Sequence, residues 1–326
     1  VDPLALAVAA HEENPIEGYD GGKFSREEFI LPELISTLWS ARDKAKASKN
    51  AALSQAIKII MNSFYGILGT VGCRFLDSRL VSSITKRGHE ILIQSKNFIE
   101  DAGYQVIYGD TDSVFVLLGS VPDDEVNVIG DELTTQLNAW WTNRLREKYD
   151  ISSFLELEFE THFSKFLMPT VRGSDAGSKK RYAGLVVDSS NPKKSHLLFK
   201  GLESVRSDWS PLAREFQKEL YRRVFFGEPY EDYIKLTVQQ LTDGKYESEL
   251  ILRKRLRRKL KDYIKNVPPH AQAARKAEDI RRQLELPSLY QSGGWIEYIM
   301  TINGAEPRQY RESAIDLEFY IERQLA

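Results

Sequence analysis

The sequence has 326 residues, of which 42% are apolar and 28% charged, and a formal net charge of −2. That profile is ordinary for soluble globular protein and long enough for two or three compact units. No apolar run approaches the roughly 18–20 residues that a membrane-spanning helix needs. The start, Val1-Asp2-Pro3, lacks both the basic n-region of a signal peptide and an initiator Met, which predicts a piece of a longer chain. The single cysteine, Cys73, excludes an intrachain disulfide, fits a reducing compartment and argues against a structural zinc site.

In chain order, the polar, Gly-rich residues 11–26 read as a loop. Helices are predicted over about 27–46 and 51–68, and the short Ala47-Ser48-Lys49-Asn50 link suits an antiparallel helical hairpin. A third helix, about 80–102, should stop at Gly103. Two β-branched and aromatic runs, 104–108 and 114–118, flank Gly109-Asp110-Thr111-Asp112-Ser113 and predict a strand hairpin. A helix over 125–148 should turn Trp140 and Trp141 inward. Strands are expected near 155–160, 163–168, 181–187 and 196–200. Beyond Gly201 the pattern is mainly helical, over 210–226, 229–242 and 269–284, with a short strand near 295–302. Mixed α/β first and mainly α later places a boundary near residue 200. The fold class is therefore α+β, with a helical hairpin and a strand hairpin in its first part.

The net charge hides an asymmetry. Residues 250–282 carry twelve Lys or Arg against three Asp or Glu, a local +9. Arg253, Arg255, Arg257 and Arg258 stand at its centre. Such a run suits a phosphate backbone, although a solvated charged face has the same composition.

Asp110 and Asp112, two apart on an extended segment, should share a face, with Thr111 opposite. Two adjacent carboxylates repel unless a proton or cation compensates, and hard oxygen donors favour Mg²⁺ or Mn²⁺. Gly109 would let a substrate or ion approach the backbone. Gly, Asp, Thr and Ser are also what β-turns prefer, so the pentapeptide alone fits either a metal site or a turn.

On the 51–68 helix, Lys58, Asn62, Tyr65 and Gly69 fall in one stripe, while Leu53, Ala56, Ile57, Ile60, Phe64 and Ile67 cluster opposite and should pack. Gly66, costly inside a helix by about 1 kcal/mol, suggests something close to the backbone there. The partner helix adds Arg42 and Lys46 at i, i+4. Arg42, Lys46 and Lys58 could together clamp a triphosphate, and Tyr65 offers a flat surface to a base or sugar. Each taken singly also fits a solvated helix face.

Four motifs in one order resemble those of family B DNA polymerases. Lys58-Ile59-Ile60-Met61-Asn62-Ser63-Phe64-Tyr65-Gly66 resembles the fingers helix, and Tyr108-Gly109-Asp110-Thr111-Asp112-Ser113 the palm hairpin. Lys179-Lys180-Arg181-Tyr182-Ala183-Gly184 resembles the basic palm motif, and Lys200-Gly201-Leu202-Glu203 through Trp209 the entry to the thumb. The stretch from Arg172 to Tyr182 is most similar to a bacterial branch of the family. The resemblance implies an antiparallel palm sheet with the helical hairpin inserted as fingers: a palm remnant or loop at 1–26, fingers at 27–70, palm at 71–200 and a mainly helical thumb at 201–326. It implies templated addition of dNTPs to a primer 3′-hydroxyl with two metal ions, Mg²⁺ or Mn²⁺. One ion would activate the hydroxyl and the other would escort the triphosphate.

By the same resemblance Asp112 and Asp110 are the catalytic metal-binding carboxylates. Arg42, Lys46, Lys58, Asn62, Tyr65 and Gly66 face the dNTP. Lys179, Lys180, Arg181, Tyr182, Lys200 and Gly201, with Arg253, Arg255, Arg257 and Arg258, face primer–template DNA. Glu158 or Glu160 is a further candidate palm acid. A sliding clamp is an implied partner through a peptide not found in these residues, and a bacterial cytoplasmic, nucleoid-associated location follows. The family's other metal-binding aspartate lies in an Asp-x-x-Ser-Leu-Tyr-Pro motif that does not occur in these residues, nor do the exonuclease motifs. The 326 residues alone are therefore expected to bind without catalysing. A protein-primed or reverse-transcribing polymerase fits less well; reverse transcriptases usually carry adjacent aspartates in this hairpin, and here Thr111 separates them.

Overall fold

One buried carboxylate organises the start of the chain. In the computed structural model, which describes residues 1–170, 177–187, 195–291 and 293–325, Asp2 is 2% exposed. Its Oδ1 accepts from the Leu4 and Ala5 amides at 2.8 and 3.0 Å and caps α1 (Pro3–Val8). Its Oδ2 accepts from the Ile30 and Leu31 amides at 3.0 and 2.5 Å and caps α2 (Leu31–Ala47). One side chain thus satisfies the orphan donors of two helices. Between them, in the stretch expected to be loop, β1 (Ile16–Glu17) and β2 (Lys23–Phe24) pair antiparallel.

The chain divides into two compact units, Val1–Glu160 and Thr161–Ala326. In the first, α2 and α3 (Ala51–Leu68) form the predicted hairpin. Lys49 in the link takes a left-handed φ of 55°, and Asn50 caps α3 through the Leu53 amide at 3.0 Å. The apolar face expected to pack does so only along a seam: Ala45, Ile57 and Leu68 are buried, whereas Leu53, Ile60 and Ile67 are exposed. Two helices alone shield a narrow strip of each other, and burying a full face needs a further layer.

Next come α4 (Ser78–Asp101), capped by Asp77 and followed by Gly103 at φ 94°, then the antiparallel hairpin of β3 (Gln105–Asp110) and β4 (Ser113–Leu117). The 27-residue α5 (Asp123–Tyr149) follows. Ile99, Leu137 and Trp141 form the core here, with Trp140, Val106, Val114, Leu155 and Leu157 against it. Trp141 Nε1 donates to the buried Ser95 Oγ at 2.9 Å. Residues 155–160 do not form the expected strand. Leu155, Leu157 and Phe159 alternate with exposed Glu156, Glu158 and Glu160, as in a half-buried extended segment. The ladder partner, however, is a side chain: the Asn138 amide donates to Leu157 O at 2.8 Å and accepts from its N–H at 2.9 Å.

In the second unit, β5 (Lys165–Leu167), β6 (Tyr182–Val186) and β7 (His196–Lys200) form an antiparallel sheet in that order. Ala183, Leu185, Leu202 and Phe225 make its core, the last from α6 (Pro211–Phe226). After α7 (Glu231–Thr242) comes a second sheet of order β10-β9-β8, made of β8 (Leu252–Leu256), β9 (Gly294–Thr301) and β10 (Gly304–Pro307). Fully buried Ala271, Ala273, Ala274 and Ala277 of α8 (Pro269–Gln283) pack among its side chains, and α9 (Leu317–Tyr320) follows. The region beyond Gly201 is thus less helical than expected. Only β9 was visible in the pattern, because Arg253, Lys254 and Arg255 read as a charge run and masked the inward Leu252 and Leu256. Throughout the described residues the strand pairs are antiparallel, mixed with helix, which is an α+β arrangement. Among them no helix is long and apolar enough to cross a membrane.

Candidate metal and nucleic-acid sites

The β3–β4 hairpin closes on the pair Asp110↔Ser113, leaving Thr111 and Asp112 as a two-residue loop. The Asp112 amide donates to Asp110 O at 2.6 Å, and Thr111 Oγ1 donates to Asp110 Oδ1 at 3.0 Å. The expected alternation of side chains does not carry across this tip, since Asp110 ends a strand, half-buried, and Asp112 lies exposed in the turn. Thr111 takes φ 56°, a conformation that costs a residue with a Cβ about 1–2 kcal/mol. Gly109 also serves the packing of the hairpin. A Cβ there would sit 3.2 Å from Leu92 Cδ2, so the missing side chain lets the hairpin press onto α4. The pentapeptide is thus a tight turn, with Asp110 at the end of β3 and Asp112 in the loop.

The donor chemistry fits a hard divalent cation. Asp112 offers an exposed carboxylate that accepts no hydrogen bond and forms no ion pair among the described residues. Nowhere among those residues do three His, Cys, Asp or Glu side chains gather as a metal site. The hairpin tip by itself offers two carboxylates, Asp110 and Asp112. Glu158 and Glu160 are exposed, on the segment held by Asn138.

On α3, Lys58, Asn62, Tyr65 and Gly66 are all exposed. Tyr65 Oη lies 3.1 Å from Thr85 Oγ1 of α4, which orients the phenol. No described atom comes within 4 Å of the Cβ position of Gly66, so the chain itself does not crowd that backbone. On α2, Lys46 is exposed and 3.9 Å from Asp43. The Arg42 Nε is shielded and has no hydrogen-bond partner among the described residues. The hairpin thus presents three cations on two packed helices, Lys58 without an ion-pair partner among the described residues.

In the second unit, two motifs twenty residues apart meet at one end of the first sheet. Tyr182 pairs with Lys200, and the residues just outside, Lys180 and Gly201, both have φ 62°. A Cβ on Gly201 would overlap the Lys180 carbonyl oxygen, so only glycine allows the two backbones this close. Lys179, Lys180 and Lys200 are exposed there. Arg181 instead pairs with Glu203. Glu203 also accepts from Gln217 Nε2 at 2.9 Å, and Gln217 Oε1 accepts from the Ser204 amide at 2.7 Å. Glu203 and Gln217 were not singled out from sequence; a carboxylate in a motif rich in cations was the available signal. The Tyr182 ring leans on Phe166 and Phe163, with centroids 5.3 and 6.2 Å away.

On the second sheet, Arg253 and Arg255 point outward from β8, and exposed Arg257 and Arg258 follow it. The residue between them, Lys254, reaches Asp208 at 3.2 Å. Hydrogen bonds from Arg206 and Lys254 hold the Asp208 carboxyl far below the usual carboxylate range, against the opposing effect of burial.

The sequence profile of DNA polymerase family B matches residues 16–326. The chain is 50% identical to DNA polymerase II of Escherichia coli over 329 residues, covering 100% of this chain and 42% of that protein. It is 27% identical to a DNA polymerase of Thermococcus gorgonarius, over 100% of this chain and 41% of the relative. It is also 27% identical to the DNA polymerase alpha catalytic subunit of Drosophila melanogaster, over 76% and 16%. The chain thus spans about two-fifths or less of the relatives it matches.

Proposed function

The chain belongs to DNA polymerase family B, and we propose that it contributes the nucleotide-binding and primer–template-binding core of a replicative or repair DNA-directed DNA polymerase. In this reading 27–70 are fingers, 71–200 palm and 201–326 thumb, with 1–26 a palm remnant. The observation that carries it is the exposed Asp112 carboxylate, without a partner among the described residues, two positions from Asp110 at the hairpin tip, in a chain of this family.

Asp112 and Asp110 would hold divalent cations, Mg²⁺ or Mn²⁺. When bound, such ions supply activation of the primer 3′-hydroxyl and charge compensation for the triphosphate. The protein's own part is positioning. Lys58, Arg42 and Lys46 neutralise and orient the triphosphate, with Asn62 in support. Tyr65, braced by Thr85, and the uncrowded Gly66 backbone border the nascent base pair, whose shape is checked as the hairpin closes. Lys179, Lys180 and Lys200 grip primer–template phosphates, Arg181 and Gly201 fix their geometry, and Tyr182 anchors the strand through its aromatic neighbours. Arg253, Arg255, Arg257 and Arg258 extend the electrostatic contact to DNA. A cytoplasmic, nucleoid-bound setting suits those substrates.

A second reading applies to the 326 residues by themselves, because the described residues assemble no complete carboxylate cluster. In it they bind primer–template and dNTP without extending the primer. Primer extension with Mg²⁺ separates the two. Templated extension by the 326 residues contradicts the binding-only reading. Extension only by a protein that adds an Asp-x-x-Ser-Leu-Tyr-Pro segment to the chain supports it.

A further inference from the structure

The register of the second sheet assembles a surface that basic composition alone does not show. Arg253 pairs with Glu297 and Arg255 with Trp295 across β8 and β9, and directly opposed residues put their side chains on one face. These four side chains are exposed to solvent, while Leu252, Leu256, Ile296 and Tyr298 of the other face are buried. Trp295 is 50% exposed, with the Arg253 guanidinium 4.7 Å from its ring centroid. Glu297, the acid opposite Arg253, is paired with Arg308 at 2.8 Å. Arg253 and Arg255 form no ion pair among the described residues, and Arg257 and Arg258 continue the positive charge past the end of β8.

We propose that the solvent face of β8 and β9 is a binding site for single-stranded nucleic acid, in which Trp295 stacks on an unpaired base and Arg253 and Arg255 hold the flanking phosphates. An exposed indole amid unneutralised guanidinium groups matches a ligand that is both polyanionic and flat-faced. A duplex meets only half of that description, because both faces of a paired base are already stacked on its neighbours. An acidic protein segment supplies the charge but no ring to stack. The site deepens the polymerase reading, on which it rests for its natural ligand, an unpaired template or displaced strand. It stands 40 or more residues beyond the Lys179–Tyr182 and Lys200–Gly201 motifs in sequence.

The test is binding of labelled dT16 and of a blunt 16-base-pair duplex to the chain and its variants, followed by fluorescence anisotropy across a salt series. Trp295→Ala should weaken dT16 binding by about 5- to 100-fold, the loss of one stacked base. Its salt slope and its duplex affinity should stay unchanged. Arg253→Ala and Arg255→Ala should each lower the single-strand salt slope by about 0.7. Trp295→Phe, which keeps a stacking face, should retain most of the affinity, while Trp295→Leu should behave like Ala; this pair guards against a folding artefact. Equal single-strand affinity in Leu, Phe and wild type overturns the proposal, as does an equal loss of duplex binding. So does competition by poly-glutamate of matched charge as effective as that by dT16. Catalysis is read apart, in a protein that joins this chain to an Asp-x-x-Ser-Leu-Tyr-Pro segment: absent templated extension there, with the Trp295 effect intact, refutes the polymerase reading alone, and the reverse pattern refutes this site alone.

Discussion

Replacing Gly201 by Ala tests whether the meeting of the Lys179–Tyr182 and Lys200–Gly201 motifs is a real structural dependence. Gly201 sits at φ 62°, and its Cβ would overlap the Lys180 carbonyl oxygen. The left-handed conformation alone costs Ala about 1–2 kcal/mol. Relieving the overlap requires displacing the Lys180 backbone, an overpacking cost of about 1–3 kcal/mol. The sum is about 2–5 kcal/mol. Gly227, just past α6, is the internal control: its φ is 69°, and no described atom lies within 4 Å of its Cβ position. Gly227→Ala should therefore cost only the conformational part. Urea unfolding of both variants gives the difference, and fluorescence anisotropy with primer–template DNA reads the consequence. Gly201→Ala should weaken DNA binding through the displaced Lys179 and Lys180, whereas Gly227→Ala should not. Equal destabilisation by the two substitutions, or unchanged DNA binding by Gly201→Ala, would refute the close approach as the cause.

Thr111→Gly should raise stability by about 1 kcal/mol, measured by urea unfolding, because it relieves a left-handed β-branched residue. Lys58→Ala should chiefly raise the dNTP concentration needed for half-maximal extension. Lys179→Ala and Lys180→Ala should each weaken DNA binding and make its salt slope shallower. Burial opposes ionisation of Glu278 and Glu306. Hydrogen bonds from Ser288 and the Tyr290 and Leu289 amides to Glu278, and from Ser313 and the Glu312 amide to Glu306, nonetheless hold both carboxyls below the ordinary 4.5. The unfolded chain then takes up their protons first as pH falls, so this stabilisation is full above about pH 4.5 and lost below it. Urea midpoints should drop over that window, and Glu278→Gln should both lower stability by about 1–3 kcal/mol at neutral pH and flatten the drop.

Much of the fold was legible because its signals are local. The α2–α3 link, the end of α4 near Gly103 and the β3–β4 hairpin each follow from a turn chemistry that a few residues specify. What was hidden depends on partners far away in sequence. The strand expected at 155–160 has the right alternation but finds an Asn138 side chain where a strand should be. β8 was obscured because its inward Lys254 is neutralised by Asp208, forty-six residues earlier, which no periodicity reveals. Asp2, which caps two helices at once, looks in sequence like any polar residue before a proline. At the site, the residue types on α3 and at the hairpin tip were readable. The turn geometry that parts Asp110 from Asp112 was not, nor was the Glu203–Gln217 brace behind Arg181. The exposed Trp295 became meaningful only once register set it opposite Arg255.

The most direct test of the polymerase assignment is single-turnover primer extension with Mg²⁺ by a protein that joins this chain to an Asp-x-x-Ser-Leu-Tyr-Pro segment, comparing wild type with Asp112→Ala at matched, measured DNA occupancy. The account predicts a loss of several decades in rate with primer–template affinity retained, each decade corresponding to about 1.36 kcal/mol of transition-state stabilisation. An Asp112→Ala variant that extends primers within tenfold of wild type would contradict it.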